Sequence, residues 1–167
     1  RALLGYKSAE FTVNFTSALF GSISVLILYL LAKELFHDRF MAFSSGILYS
    51  VTPIFLSVST FAKEHTLDVF LSLTSLLLLA FGLNKSKNSL ILLSGLLLSS
   101  LVYVRFPSIL IIFSSVLLIF LVGRNSVSLK GRVKRIAIYL LPFVIVIVCY
   151  TIFDYAAIIN EANSNFN

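Results

Sequence analysis

The twenty charged side chains of this chain, thirteen Lys and Arg against seven Asp and Glu, fall into seven short clusters. Between the clusters lie six runs without a single charge: 11–32, 40–62, 69–84, 88–104, 106–123 and 136–153. They are 22, 23, 16, 17, 18 and 18 residues long. Water cannot solvate a fold made of such segments, because almost no polar face is left to present to it. A bilayer can host them, since crossing ~30 Å of hydrocarbon at ~1.5 Å per helical residue takes ~20 apolar residues. The expected fold class is therefore all-α: a polytopic transmembrane helical bundle of about six spans. The runs are rich in Leu, Ile, Phe and Ser and lack strict alternation, which favours helices over barrel strands.

Composition narrows the partners. Hydrophobic residues make up 59% of the chain and mean hydropathy is +1.01, whereas soluble domains are about 45–50% apolar. In a soluble protein the net charge of +6 would suggest nucleic acid. Here five basic residues, Arg124, Lys130, Arg132, Lys134 and Arg135, share one gap, and no aromatic-studded basic surface accompanies them. Their plain reading is a topology signal touching anionic lipid, not a nucleic-acid site. Cys149 is the only cysteine, so an intrachain disulfide and a metal site built on Cys pairs are excluded. Inside an apolar run it reads as a buried, inert thiol. The chain opens on Arg1 with no secretory leader pattern, so a fragment of a longer protein is expected.

Spans are expected at about 11–32, 40–62, 66–84, 88–104, 106–123 and 136–153, within one domain over 1–167. Lys and Arg mark cytoplasmic loops. The gaps 33–39, 85–87 and 124–135 are accordingly placed in the cytoplasm, with Ser128 and Gly131 marking the last as a flexible loop. The gap 63–68, Arg105 and the tail after Phe153 then face the extracytoplasmic side. Pro107 stops the helical ladder and disfavours helix at the residue before it, so two antiparallel helices turning at Arg105 are expected. Pro53 is expected to kink the second span near Thr52. Tyr6, Tyr103, Tyr139 and Tyr155 read as interfacial belt residues. Asn14-Phe15-Thr16 matches the glycosylation tripeptide, but at the membrane edge it is a chance match.

Two features could carry chemistry. Lys63-Glu64-His65-Thr66-Leu67-Asp68 is the densest polar cluster on the outer side. Glu64 and Asp68, four apart, would share a helical face beside an imidazole, a set able to hold a divalent metal or move a proton. Acidic residues in a first helical turn are equally explained by the helix dipole, at ~0.3–1 kcal/mol each. Arg105 is the only charge between Asn88 and Gly123. It could bind a lipid-borne phosphate or snorkel to the interface.

The segments Ser8-Ala9-Glu10-Phe11, Asn14-Phe15-Thr16-Ser17 and Leu28–Phe36 resemble the region after the first lumenal loop of GT-C class membrane glycosyltransferases. The resemblance is to the polyprenyl-phosphate-sugar-dependent branch, which includes protein mannosyltransferases and aminoarabinose transferases. Thr52-Pro53-Ile54-Phe55-Leu56, the Lys63–Asp68 turn and Leu101–Pro107 continue it, so it covers residues 8 to 122. The chain departs from the family at Asn14, where Arg is common. The resemblance implies transfer of a sugar from a polyprenyl-phosphate donor to a protein or glycolipid acceptor on the extracytoplasmic side, within a larger GT-C module. The family's principal catalytic acid would lie upstream of residue 1. Glu64, His65 and Asp68 would support catalysis, Lys63 and Arg105 would bind the carrier phosphate, and Glu64 and Asp68 are the metal candidates. Membrane lipid and other subunits are the remaining expected partners. Two other classes stay open: a non-enzymatic multi-span scaffold, and a transporter component, disfavoured by spans nearly free of charge.

Overall fold

A computed structural model describes residues 2–53, 65–104, 109–122 and 128–164. Six helices account for them: α1 (Ala2–Phe36), α2 (Arg39–Val51), α3 (His65–Asn84), α4 (Asn88–Val104), α5 (Ile109–Val122) and α6 (Leu129–Ser164). The described residues contain no strand. The helices form a row in the order α2, α1, α3, α4, α6, while α5 packs more lightly against α3 and α6.

Local chemistry explains the breaks. His37 takes a left-handed conformation (φ 55) and its N–H bonds the Lys33 carbonyl at 3.0 Å, closing α1. Asp38 then caps α2, its carboxylate accepting from the Phe40 N–H at 2.8 Å. Ser86 (φ 52) ends α3 in a Schellman motif, with Lys87 N–H to Gly82 C=O at 3.0 Å and Ser86 N–H to Leu83 C=O at 3.3 Å. Pro53 does more than kink the second span. It pushes Thr52 into an extended conformation (ψ 124), and α2 ends at Val51.

The interior is sorted by size more than by polarity. Ser17, Ser24, Ser72, Ser75, Ser94, Ser99 and Ser115 are buried, while Phe40 and Phe113 are 75% and 71% exposed. Lipid is as apolar as leucine, so helices in a bilayer gain little by hiding large side chains and more by close packing across small ones. Ser75 Oγ donates to the Ser94 carbonyl at 2.9 Å, and Ser94 Oγ donates to the Ser75 carbonyl at 2.8 Å. This reciprocal pair joins α3 to α4. Gly95 does the same for α6: a Cβ there would run into the Tyr139 carbonyl and lie 3.4 Å from Pro142 Cγ. Leu79, Leu83, Ile91, Leu98, Ile119, Tyr139 and Phe143 fill the core around these contacts.

Several expectations change. Three described segments are long and apolar enough to cross a bilayer: Phe11–Phe36, His65–Asn84 and Leu129–Ile152. The helices α4 and α5, with 17 and 14 residues, span only about 25 and 21 Å. Among the described residues, three helices are thus long and apolar enough to cross, with shorter apolar helices beside them; residues 54–62 of the expected second span lie outside the described residues. The basic stretch 129–135, expected to be a flexible loop, is the start of α6. Ser128 opens that helix, its Oγ accepting from the Gly131 N–H at 3.3 Å. The segment after Phe153 continues as helix to Ser164. Tyr139 is not a belt residue: it is fully buried, 5.8 Å from the Phe143 ring. Cys149 faces outward rather than inward. Helix α4 is described to Val104 and α5 from Ile109; the expected turn at Arg105 and Pro107 lies outside the described residues.

Two tests follow from this packing. Gly95→Ala should destabilise the folded protein in detergent micelles by about 1–3 kcal/mol, because backbone must move to admit the methyl group. Gly46→Ala, whose Cβ would meet Tyr29 and Val25 at 3.8 Å, should be tolerated within ~0.5 kcal/mol. Ser115 Oγ and Tyr139 Oη are buried next to each other, in a contact that falls short of full hydrogen-bond geometry. Tyr139→Phe should therefore leave stability unchanged or raise it by up to ~1 kcal/mol. A clear loss in the same unfolding measurement would show that the contact is a full hydrogen bond.

Candidate functional site

Three contacts give the bundle two distinct ends. Asn84 Nδ2 donates to Glu34 Oε1 at 2.9 Å and to the Glu34 carbonyl at 3.2 Å, joining the last turns of α3 and α1. Arg135 Nη2 donates to Ser86 Oγ at 3.1 Å, joining α6 to the α3–α4 turn. The clusters 33–39 and 85–87 and the basic start of α6 therefore gather at one end, as the distribution of Lys and Arg required.

The opposite end carries the first turn of α3. Helices α1 and α3 run parallel: Glu34 lies beside Asn84, and Phe20 beside Phe70 with ring centroids 5.0 Å apart. The same offset brings Ser17 level with Leu67. Helices α3 and α4 run antiparallel, and the Ser75–Ser94 pair sets Val104 level with His65. The α3 start and the α4 end thus share one end of the bundle.

His65 and Asp68 stand three apart on the first turn of α3, both half-buried, so they fall on one helical face. Asp68 is the acidic residue of that turn, where the helix dipole favours a carboxylate. Thr66 between them is buried, and so is Ser17 on α1 at the same level. These two hydroxyls were not singled out from the sequence. Only the α1–α3 register reveals them, since nothing in their local sequence sets them apart from the other hydroxyls. Lys63, Glu64 and Arg105 lie outside the described residues. Arg105 directly follows Val104, the residue level with His65. Among the described residues no three His, Cys, Asp or Glu side chains gather as metal ligands; of the expected metal pair, only Asp68 lies within them.

A separate groove of ≈ 320 Å³ runs between α1 and α2, lined by Ser22, Val25, Tyr29, Phe43, Gly46 and Ser50 among others. Its polar side-chain atoms are hydroxyls only, and it lies more than a helical turn from Asp68 toward the basic end. Its side chains offer no acid, base or phosphate-binding cation.

A sequence model of the dolichyl-phosphate-mannose-protein mannosyltransferase family matches residues 2–153. No curated protein and no solved structure matches the chain. The match runs from the first turn of α1 into α6, across all six helices, with the long apolar segments that an integral membrane protein needs. The chain belongs to the dolichyl-phosphate-mannose-protein mannosyltransferase family, a family of membrane glycosyltransferases.

Proposed function

We propose that this chain is the transmembrane part of a glycosyltransferase that moves a sugar from a polyprenyl-phosphate carrier to a protein or glycolipid acceptor on the extracytoplasmic side. The family match over residues 2–153 carries this reading. The separation of the two ends supports it: the basic clusters lie at one end, and His65 and Asp68 at the other. Residues 1–167 then form one helical unit of a larger GT-C module, with the basic end in the cytoplasm.

The chemistry assigns roles by charge. As the bond from the sugar to the carrier phosphate breaks, negative charge grows on the departing phosphate. Cations fixed beside that phosphate stabilise the transition state more than the ground state. Arg105 and Lys63 are assigned this task. His65 and Asp68 are assigned to orient the acceptor and the sugar, helped by Glu64. A divalent cation held by Asp68 and Glu64 would supply further neutralisation of the donor phosphate.

Replacing Arg105 by Ala in the full-length protein should lower sugar transfer from a polyprenyl-phosphate donor about 10²-fold, the scale of losing one transition-state electrostatic contact. Asp68→Asn should also lower it markedly, with membrane insertion unchanged. Full activity in both variants would sink these assignments.

The side assignment has its own test. Single cysteines at Lys87 and Leu67, in a Cys149→Ser background, should react with an impermeant maleimide from opposite faces of sealed vesicles, position 87 from the cytoplasmic face. Labelling of both from one face would overturn the topology.

A further inference from the structure

We infer that the groove between α1 and α2 holds one acyl chain of a zwitterionic phospholipid from the leaflet at the basic end of the bundle, with the headgroup seated on the turn that joins the two helices. This site is separate from His65 and Asp68 and does not depend on sugar transfer.

The groove has a floor, two rims and one charged end. Its volume is ≈ 320 Å³. Val25 and Tyr29 of α1 and the buried Gly46 of α2 make the floor, where a Cβ on Gly46 would meet Val25 and Tyr29 at 3.8 Å. Leu26, Phe43 and Ile47 form the rims, 58%, 61% and 46% exposed. The remaining lining residues, Ser22 and Ser50, offer little to water. Each hydroxyl already donates to a carbonyl of its own helix, Ser22 to Ala18 and Ser50 to Ile47, both at 2.8 Å. Water settles in a cavity where several polar groups converge on it. A groove with this lining, set in hydrocarbon, is filled by hydrocarbon.

Depth in the bilayer selects the occupant. The α1 side of the groove lies within the apolar segment Phe11–Phe36. Its positions Ser22, Val25 and Tyr29 follow one helical stripe that reaches Lys33 a turn later. On α2 the stripe of Ser50, Gly46 and Phe43 reaches Arg39 in the same way. At ~1.5 Å per residue the groove starts about 6 Å from the charged turn and ends about 16 Å from it. Half of a ~30 Å hydrocarbon layer is ~15 Å. The groove thus runs from just inside the interface to the midplane, which is the reach of an acyl chain in one leaflet. A crossing helix of a partner needs a track twice as long. The charged turn at the mouth is mixed in sign. Lys33 and Arg39 are exposed there, beside Glu34, which accepts from Asn84, and Asp38, which caps α2. Cations and carboxylates side by side match a phosphate with an ammonium group next to it better than they match a lone anion.

The test is photo-crosslinking of the full-length protein in phosphatidylcholine nanodiscs. The probe is phosphatidylcholine with a diazirine midway along one acyl chain, and labelled residues are mapped by mass spectrometry. Labelling at Leu26, Phe43 and Ile47 should exceed that at Phe113 and Ile147, exposed apolar residues of α5 and α6. The expected excess is about fivefold, or roughly 1 kcal/mol of preference. Ser22→Leu with Ser50→Leu fills the groove while removing hydrogen bonds only within single helices, so it should bring labelling down to the Phe113 level. Ser114→Leu, the same change at an exposed position of α5, should leave the excess intact. Lys33→Gln with Arg39→Gln should remove most of it. Even labelling of all these positions, an excess unchanged in either double variant, or preferential labelling of the groove by a diazirine-bearing polyprenyl phosphate at the same concentration would overturn the proposal.

Discussion

The fold depends on how closely α4 approaches its two neighbours. On one side Ser94 exchanges hydrogen bonds with Ser75; on the other, Gly95 leaves no room for a methyl group against the Tyr139 backbone. In hydrocarbon the hydrophobic effect cannot choose one helix partner over another. Selection falls to packing and to polar groups that would be costly to leave unpaired. Two adjacent small residues thus fix α4 between α3 and α6. The row of helices is completed from this centre, with Ser17, Gly21 and Ser24 lining the inner face of α1. Large side chains fill what remains or face outward.

That centre also sets the two ends. The parallel pairing of α1 with α3, together with the α3–α4 hairpin, brings the charged turns 33–39 and 85–87 side by side. Asn84 bridges them through Glu34, and Arg135 ties α6 to the same end. The start of α3 and the end of α4 are then forced together at the opposite end, with no contact between charged groups needed to bring them there. The candidate site inherits its position from hydroxyls and glycines more than a helical turn away.

Much of this was legible in the sequence, and what was not has a physical cause. The confinement of charge revealed an all-helical membrane chain and the gathering of the basic clusters at one end, because both follow from the cost of charge in hydrocarbon. The family was legible from short matched segments spread along the chain. The fate of Tyr139 and Cys149 was not. Both lie in the same charge-free run, and hydropathy treats every face of such a helix alike. Inside and outside are told apart there only by residue size and register. Ser72, Ser75, Leu79 and Gly82 form a buried stripe on α3, yet their neighbours Leu71, Leu73 and Leu78 are no more polar. The basic start of α6 was misread as a loop for a related reason: Ser128 and Gly131 are turn-formers in isolation, but Ser128 serves here as a helix cap.

The packing is also uneven around the site. Helix α3 bears Asp68 about two turns, and His65 nearly three turns, from the Ser75–Ser94 pair that joins it to α4. Helix α4 is clamped by the same pair, and its last residue, Val104, is held level with His65. Among the described residues, helix α5 has no comparable clamp. It packs lightly on α3 and α6, and its buried hydroxyl, Ser115, makes only an imperfect contact with the Tyr139 hydroxyl. Along the chain, a helix held closely on both sides is thus followed by one that packs lightly on its neighbours, and local displacement costs least where packing is lightest.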